Sequence, residues 1–516
     1  MAEAARADGV QRRDIWSEWR MDTVERVELA DLVALEAAFP DGVRGKRIHA
    51  VGAGGHGISA GLLVAHARGA LVTGCDHVPT PLSAMLRREG VPVTVGHDTA
   101  HVAGCDLVVT NPAVTFLHPN HPELAAARAL GIPVSQWQPL LGLLMRGLVG
   151  VSVAGVHGKG STTALLGAML IAAGLEPTVE VGDVVRAWGS NVRPGVGSYF
   201  VNEADEFNYN FLSYHPRMVV LTEVEYDHPE FFRSYSEIRD AFAQFLRGMD
   251  TSPAGANMPS PTIITSADSP GCRDTLAQLP ADWPGVVRTF SVEGAQADAM
   301  AYDVQVGEET SFGLTLDGKR VGRVALRLVG RHNVANAVAA AAAASALGAS
   351  PEVIVRVLGE FDGLKRRFEI IGDGDVTWVD DYAHHPHAVA LTIATARQRF
   401  PGRRIVAIFQ PTLYTRLQRF LIPFAEALAG GDEAVVVEIQ PSRERDTGLI
   451  HGRQLVEAIR KQPSFARKPG AARYGGDFAE TATLLNQIRK PGDVMLVMGS
   501  GPVNQVIDLA RESSSR

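Results

Sequence analysis

The segment "GLVGVSVAGVHGKGSTTALLGAML" most constrains the fold, because an apolar strand runs through a glycine-rich loop into a helix. Such a loop directs backbone amides at a phosphate, and the following helix adds its positive N-terminus. Lys159 supplies a charge, and Ser161 and Thr162 offer hydroxyls for a magnesium ion. Only two residues separate Gly155 from Gly158, so the loop is shorter than the strict P-loop pattern. The segment predicts a phosphate site, and a plain glycine-rich turn with an incidental lysine is the alternative.

A second glycine cluster, "GAGGHGIS", also follows a strand and opens a helix. Gly52, Gly54 and Gly57 fit the G-x-G-x-x-G pattern, in which a diphosphate sits at a helix N-terminus. Asp76 ends the next strand, where a ribose-binding carboxylate is expected about 20 residues on. The pattern leaves open a nicotinamide site or another diphosphate ligand. Two successive phosphate sites indicate a nucleotide-linked substrate, because one ATP does not need both.

Strand and helix signals alternate along the 516 residues, which is typical of α/β domains built on parallel sheets. This length exceeds one hydrophobic core and indicates about three domains. We predict an N-terminal extension at 1–43 and a Rossmann-like domain at 44–146. A central P-loop ATPase-type α/β domain at 147–362 and a C-terminal Rossmann-like α/β domain at 363–516 complete the predicted organisation.

Composition argues against several classes of protein. The net charge of −8 and the isoelectric point near 6.1 argue against a nucleic-acid-binding protein. No apolar run reaches the ~18 residues of a membrane span, so we expect a cytoplasmic protein without membrane insertion. Cys75, Cys105 and Cys272 lie far apart and lack a metal-ligand spacing. This favours a reducing compartment and predicts neither a disulfide nor a zinc framework.

Carboxylates and a histidine follow two strands of the central region, in "VNEADEFN" and "TEVEYDHPEF". The candidates are Glu203, Asp205, Glu206, Glu225, Asp227 and His228. Oxygen-rich ligands beside a phosphate loop are the setting that magnesium-dependent phosphoryl transfer uses. A solvated acidic loop is the alternative for either segment taken alone.

Three further polar motifs are "GRHNVANAVAA", "GLKRRFE" and "DDYAHHP". The first places Asn333 and Asn336 at a helix start, where capping accounts for at most one of them. The other two motifs contribute Lys365, Arg366, Arg367, Asp380, Asp381, His384 and His385. Surface charge is the alternative interpretation for both of these clusters.

Taken in order, these motifs resemble the Mur ligase superfamily over about residues 44 to 512. Further matching segments are "FQPTLYTR", "SRERDTG" and "GDVMLVMGSG". The resemblance implies that the first domain binds a UDP-sugar, the central domain binds ATP with Mg²⁺, and the third domain brings an amino acid. It also implies that the first glycine cluster holds no nicotinamide.

The activity implied by this resemblance is amide formation. Transfer of the γ-phosphate of ATP to the lactyl carboxylate of UDP-N-acetylmuramate gives an acyl phosphate, which the amine of L-alanine attacks. ADP, phosphate and an amide result. The carboxylate is inert to amines until phosphate becomes its leaving group, and phosphoryl transfer depends mostly on positioning and charge neutralisation.

The resemblance also implies roles for the residues that match its motifs. The implied catalytic residues are Lys159, Glu203, His228, Arg367 and Asp381. The implied ATP contacts are Gly155, His157, Gly158, Lys159, Gly160, Ser161, Thr162, Asn333, Asn336 and Arg367. The implied UDP-sugar contacts are Gly52, Gly54, Gly55, Gly57 and Asp76, and the amino acid would meet Tyr382, His384 and Arg416. The implied magnesium ligands are Ser161, Glu203 and His228.

The chain departs from the usual family pattern near both substrates. Gly160 follows the P-loop lysine where a threonine is usual, so the magnesium hydroxyl is assigned to Ser161. Thr412 and Leu413 replace a His-Arg pair near the acceptor site, so the sequence leaves open which amino acid or peptide is the acceptor. A ligase that attaches a whole L-Ala-γ-D-Glu-meso-diaminopimelate tripeptide is therefore one alternative. A non-catalytic UDP-muramyl-binding protein and an NAD-dependent oxidoreductase are the others, and the protein is expected to be a monomer or a homodimer.

Overall fold

A computed structural model describes residues 29–512, apart from 254–257, 308, 443 and 447. Residues 1–28 of the predicted N-terminal extension lie outside the described part of the chain. The described strands form three sheets of five, ten and six strands, each dominated by parallel pairing. The predicted α/β class with three sheet-based units is confirmed. Among the described residues no helix has both the length and the apolar character that a membrane span requires.

The first sheet is fully parallel, with strand order β3-β2-β1-β4-β5. Its strands are β1 Arg47–Val51, β2 Leu71–Asp76, β3 Val93–Val95, β4 Leu107–Thr110 and β5 Val134–Gln136. Its helices are α1 Leu32–Ala38, α2 His56–Ala67, α3 Pro81–Arg88, α4 Pro112–Leu117, α5 Pro122–Ala129 and α6 Trp137–Met145, with a 3₁₀ turn at Thr99–Val102. Ala30 bonds to β5, so the chain ahead of the first strand belongs to this unit.

The central sheet has the order β15-β14-β13-β12-β11-β10-β6-β9-β7-β8. Its strands are β6 Val149–Ala154, β7 Thr178–Val185, β8 Ser190–Arg193, β9 Tyr199–Ala204, β10 Met218–Leu221, β11 Thr262–Ser266, β12 Val286–Ser291, β13 Ala299–Val306, β14 Thr310–Leu316 and β15 Lys319–Leu326. Its helices are α7 Lys159–Ala172, α8 Tyr235–Arg247, α9 Pro270–Leu276, α10 Arg331–Ala346 and α11 Pro351–Glu360, with a 3₁₀ segment at Phe207–Ser213. The inner strands β6, β9 and β10 are parallel, so their carboxyl ends share one edge.

The third sheet has the order β16-β17-β21-β18-β19-β20, and only β16 is antiparallel to its neighbour. Its strands are β16 Glu369–Asp373, β17 Thr377–Asp381, β18 Ile405–Phe409, β19 Glu433–Val437, β20 Ala472–Gly476 and β21 Val494–Met498. Its helices are α12 Pro386–Arg399, α13 Tyr414–Arg419, α14 Leu421–Leu428, α15 Gly452–Arg460, α16 Pro463–Ala466, α17 Phe478–Ile488 and α18 Gln505–Glu512, with a 3₁₀ turn at Pro469–Ala471.

The connection between the central and third units is fastened to the central sheet. Leu364 forms an antiparallel bridge with Val185 at the end of β7. The amide of Lys365 donates to the carbonyl of Val184 at 2.9 Å. Two residues just beyond, Arg366 and Phe368, have φ of +58° and +49°, the left-handed region that side chains disfavour. The chain therefore turns sharply where it leaves the central sheet.

Candidate active site

The glycine-rich loop joins β6 to α7, as the sequence predicted. Gly158 is the N-cap of α7 with φ +79°, and a Cβ there would lie 2.2 Å from the amide oxygen of Asn336. Glycine is thus required by both conformation and close approach. Asn336 and Asn333 are buried in α10, where the Asn336 amide donates to the Asn333 side chain at 3.2 Å. These two residues support the loop from behind, and their contact with adenine stays a prediction.

Lys159 begins α7 and turns back over its own loop. Its Nζ donates to the Gly155 carbonyl at 2.7 Å and to Glu206 Oε2 at 2.8 Å. Burial opposes the charge, but the carboxylates of Glu206, Asp205 and Glu203 raise the Lys159 pKa. A fixed cation therefore lies where the loop amides converge.

Asp205, Glu206 and His228 come together beside this lysine. One potential ligand atom from each lies within 4.8 Å of the other two. Burial alone would lower the pKa of His228, but Asp227 and hydrogen bonds with Glu206 and Glu230 raise it to about 10. Burial likewise opposes ionisation of Glu206, yet Lys159 and His228 lower its pKa to about 2. The group is thus a partly buried, charge-separated cluster.

Glu203 lies at the end of β9, next to this cluster but outside the group of three. Its Oε2 accepts the Gly182 amide at 2.8 Å, and burial raises the pKa of its carboxyl group. A Cβ on Gly160 would lie 3.1 Å from that oxygen, so glycine brings the helix start close to Glu203. Ser161 faces the same cleft, whereas Thr162 is buried and its hydroxyl has no hydrogen-bond partner among the described residues.

Two arginines of the third unit pair with carboxylates of the central unit. Arg367 donates to Asp183 Oδ2 from Nε at 3.1 Å and from Nη2 at 2.6 Å. Arg416, buried on α13, donates to Asp227 Oδ1 at 2.9 Å and lies 3.2 Å from His228 Nδ1. These pairs bring the two units together around the phosphate loop.

Asp381 organises the third unit at the point where it meets the linker. It accepts the Phe368 amide at 2.7 Å and the Ala383 amide at 2.8 Å, and burial raises its pKa. The Tyr382 ring lies 4.9 Å from the Arg367 guanidinium, a cation–π distance. His384 bonds to the Tyr382 carbonyl at 3.0 Å, and burial lowers its pKa to about 3. In this conformation Asp381 positions Arg367 through the backbone.

A cluster of imidazoles lies on the other side of the glycine-rich loop, and the sequence did not predict it. Glu225 hydrogen-bonds His157 of the loop and His387 of α12, the latter at 3.3 Å. His385 Nδ1 lies 3.5 Å from the same carboxylate. The histidine pair in "DDYAHHP" and the glutamate of "TEVEYDH" were each visible, but nothing in the sequence showed that they face one another across two units.

The glycine-rich loop, the carboxylate cluster and both arginines line one cleft of about 740 Å³ between the central and third units. The predicted residues that line it are His157, Gly158, Lys159, Gly160, Ser161, Glu203, His228, Arg367, Tyr382, His384 and Arg416, whereas Gly155, Thr162, Asn333, Asn336 and Asp381 lie behind its lining. Thr412 and Leu413 line it too. Asp183, which pairs with Arg367, is a lining residue that the sequence analysis missed, because an aspartate in a strand carries no motif.

The first glycine turn is closed mainly by its own unit, and the central unit adds one bond, in which Asn191 Nδ2 donates to the His56 carbonyl at 2.8 Å. The Gly54 amide donates to Asp76 Oδ2 at 2.8 Å, and the amides of Gly52 and Ala53 donate to the Cys75 carbonyl at 2.9 and 3.0 Å. Gly55 caps α2, and Gly57 packs so tightly on Trp137 that a Cβ would lie 2.3 Å from its ring. Asp76 shapes the turn, and its contact with a substrate stays a prediction.

Known protein families match this chain separately in each of the three sheet-based units. Three family models match: "Mur ligase family, catalytic domain" at 47–148, "Mur ligase middle domain" at 153–344 and "Mur ligase, glutamate ligase domain" at 366–501. The UDP-N-acetylmuramate–L-alanine ligase of Nitratidesulfovibrio vulgaris is 35% identical over 89% of this chain and 97% of its own. The chain belongs to the Mur ligase family.

Other Mur ligases agree with that assignment in sequence and in structure. The UDP-N-acetylmuramate–L-alanine ligase of Methylococcus capsulatus is 35% identical over 89% of this chain and 94% of its own. The crystal structure of the UDP-N-acetylmuramate-alanine ligase of Thermotoga maritima superimposes with a TM-score of 0.72 at 27% identity, covering 91% and 100% of the two chains. A murein peptide ligase from Psychrobacter arcticus gives a TM-score of 0.67 at 25% identity, covering 91% and 98%.

Proposed function

We propose that the protein is an ATP-dependent, ADP-forming ligase that joins L-alanine to the lactyl carboxylate of UDP-N-acetylmuramate in peptidoglycan precursor synthesis. The observation that carries the proposal is the cleft in which Lys159, a carboxylate cluster and Arg416 converge from two units. The relatives that match nearly full length are named for this reaction. An NAD-dependent oxidoreductase would leave this cleft without a role.

The reaction requires two displacements in one place. The lactyl carboxylate attacks the γ-phosphorus of ATP and ADP leaves, giving an acyl phosphate. The L-alanine amine then attacks the acyl carbon, inorganic phosphate leaves and one proton is lost to give the neutral amide. Lys159 is held by the Gly155 carbonyl and by Glu206, and it would exchange the carboxylate for a phosphate. Arg367 and Arg416 add positive charge from the third unit, as phosphoryl transfer requires.

The donors around Lys159 fit a magnesium ion. A bound Mg²⁺ would supply positive charge that offsets the negative charge on the phosphates during transfer. We propose Ser161, Glu203 and His228 as its ligands, with the His228 imidazole releasing its proton to solvent when the metal binds, and the cleft also offers Asp205 and Glu206. Glu206 Oε1 is buried with only a long contact of 3.5 Å from His228 Nε2, which is the kind of oxygen that a metal or its water completes.

The remaining assignments are proposals of the same kind. ATP would contact the loop from Gly155 to Thr162 together with Asn333, Asn336 and Arg367, and Asp381 would hold Arg367 in place. The UDP group would sit on the turn from Gly52 to Gly57 beside Asp76. We divide the chain at 146 and 362, since each sheet lies within one of the resulting segments. The proposal is for a cytoplasmic enzyme, monomeric or homodimeric, that contributes to cell-wall biogenesis, cell shape and division.

Thr412 and Leu413 both line the cleft, and Thr412 bonds Ser500 at 2.9 Å. Because these two residues replace the usual His-Arg pair, a peptide acceptor is the second candidate beside L-alanine. A solved relative from Neisseria meningitidis is named for joining UDP-N-acetylmuramate to L-alanyl-γ-D-glutamyl-meso-diaminopimelate, with 29% identity over 62% of this chain. An enzyme of that type would use the tripeptide in place of L-alanine.

The test is phosphate release from ATP, Mg²⁺ and UDP-N-acetylmuramate with L-alanine, glycine, L-serine or the tripeptide as acceptor. We expect release to depend on L-alanine, and mass spectrometry to find the amide product. Release with the tripeptide alone would make the protein a peptide ligase. Absence of release with every acceptor, in protein that still binds UDP-N-acetylmuramate, would leave a binding protein and overturn the proposal.

A further inference from the structure

A second polar cluster lies inside the first unit, away from the cleft. It combines His49 of β1, Cys75 of β2, His101 of the Thr99–Val102 turn and Glu123 of α5. One ligand atom from each side chain lies within 4.8 Å of all the others. Cys75 belongs to the small apolar core between the sheet and α5, so the cluster occupies the face opposite α2 and α6.

The other three side chains converge on the carboxylate of Glu123. Cys75 Sγ donates to Oε2 at 3.0 Å, and His101 Nδ1 lies 2.8 Å from Oε1. His49 Nε2 lies 3.6 Å from Oε2, which is beyond hydrogen-bond distance. The side chains of His49 and Glu123 are 2% and 0% exposed, so no bulk solvent reaches the centre of the cluster from their side.

The His49 ring is held so that Nε2 points at the cluster and is left available for a ligand. Its Nδ1 bonds the Thr73 hydroxyl at 2.8 Å, which fixes the ring and directs Nε2 at the cluster. That Nε2 has no hydrogen-bond partner among the described residues, although it is buried. Metal-binding histidines typically have this arrangement, with one ring nitrogen held by an outer partner and the other free for the metal.

The negative charge of Glu123 also favours a bound cation. Within the described residues Glu123 has only histidines as ion-pair partners, namely His49, His97 and His101. A divalent ion bound by a carboxylate, a thiolate and two neutral imidazoles gives a site of zero net charge. Such a site suits a buried position, because Glu123 also accepts the Asp98 amide at 2.8 Å but has no lysine or arginine partner among the described residues. On binding, the Cys75 thiol releases its proton to solvent and its sulfur lone pair goes to the metal.

We propose that His49, Cys75, His101 and Glu123 form a structural zinc site in the first unit. Two imidazoles, one thiolate and one carboxylate make the four-coordinate set that zinc takes when no position is left for substrate. Thiolate and imidazole select zinc-like ions over magnesium, so this site would be chemically distinct from the cleft. His97, 25% exposed and 3.2 Å from Cys75 Sγ, marks the side from which an ion could enter.

The site would stabilise the first glycine turn. The Cys75 carbonyl accepts the amides of Gly52 and Ala53, and the next residue, Asp76, accepts the amide of Gly54. A metal that fixes Cys75 thereby fixes the end of β2 on which the turn rests. From the sequence we expected no zinc framework, because short cysteine spacings are absent. Here each ligand comes from a separate element, roughly one per βα step.

The test is a Co²⁺ titration of the metal-free full-length protein, with Mg²⁺ and an ATP analogue occupying the cleft. We expect one equivalent to bind with a thiolate-to-cobalt charge-transfer band and tetrahedral ligand-field bands, and Zn²⁺ to abolish both. Cys75→Ser should remove the charge-transfer band, whereas the matched control Cys105→Ser should keep it. Thr73→Val should weaken binding about 10- to 100-fold, because Thr73 only orients His49.

The cobalt titration tests the zinc site independently of ligase activity. No cobalt binding at micromolar concentration, or a charge-transfer band that survives Cys75→Ser, would overturn it. If the Cys75 variant does not fold, His101→Asn replaces it, since His101 is 25% exposed, with the exposed His77→Asn as control. His101→Asn should weaken cobalt binding and His77→Asn should not, and equal binding by both would contradict the site.

Discussion

The two glycine turns obey the same local rule, yet they are completed in different ways. The backbone of the first turn from Gly52 to Gly54 is held from its own unit, through Cys75 and Asp76, and only the His56 carbonyl is shown bonded to the central unit, through Asn191. The P-loop is completed from two units, because His157 meets His385 and His387, and the neighbouring Asp227 meets Arg416. The part of the first turn from Gly52 to Gly54 is therefore organised without the third unit, whereas the second turn depends on the position of the third unit.

This difference suggests a division of labour. A preorganised turn binds its ligand without a free-energy cost of rearrangement, which suits the substrate that binds first. A site assembled between units is complete only when they close, which keeps water away from an acyl phosphate until the amine is present. Scattering with and without UDP-N-acetylmuramate and an ATP analogue should report compaction, and unchanged dimensions would contradict closure.

Lys159→Ala should have the largest effect and should affect only the second turn. We expect phosphate release to fall on the order of 10³-fold, because the charge that faces the transferred phosphate is lost. Binding of UDP-N-acetylmuramate, measured by calorimetry, should remain within twofold. The surface variant Lys46→Ala is the control. A loss of less than tenfold would show that the P-loop lysine is incidental.

Arg367→Ala should come next, because it removes a group that the third unit brings to the cleft. We expect kcat to fall about 100-fold through misplacement of the phosphate. Asp183→Asn should have a smaller effect, and the double variant should be non-additive because the two side chains form one ion pair. Steady-state kinetics of the four proteins measures this coupling, with exposed Arg356→Ala as control. Simple additivity would mean that the ion pair has no role.

His332→Gln tests the surroundings of the second turn through pH. Burial, followed by repulsion from His157 and Arg367, lowers the pKa of His332 to about 4. Below the ordinary histidine pKa the unfolded chain takes up a proton that the folded chain does not, so stability falls as pH decreases towards 4. Between pH 7 and 5 this one residue should cost about 2 kcal/mol. The melting temperature should therefore drop less on acidification in His332→Gln than in the wild type or in the exposed control His77→Gln.

Asp76→Ala should have the smallest effect of the four and should affect only the first turn. It removes the charge-assisted bond to the Gly54 amide, so we expect the KM for UDP-N-acetylmuramate to rise about tenfold. The KM for ATP should not change, and Asp41→Ala on the surface should alter neither value. A rise in the KM for ATP would show that the two turns are coupled.

Local patterns allowed much of this architecture to be predicted. The strands and helices around both glycine turns follow from apolar periodicity and glycine position, which are properties of neighbouring residues. The pairs Arg367–Asp183 and Arg416–Asp227 did not follow, because they depend on how two units are oriented. The cluster around Glu123 was missed for a related reason: each of its members, taken singly, looks like an ordinary core or helix residue.

The bridge between Leu364 and Val185 also limits how far the start of the third unit can move from the central sheet. Beyond that point only residues 365 to 368 precede β16, and four residues span at most about 14 Å. A tether this short holds the tethered groups at an effective concentration in the millimolar range or above. Arg367 and Arg416 therefore never search for the nucleotide by diffusion through solution, and dilution of the enzyme leaves their encounter with it unchanged.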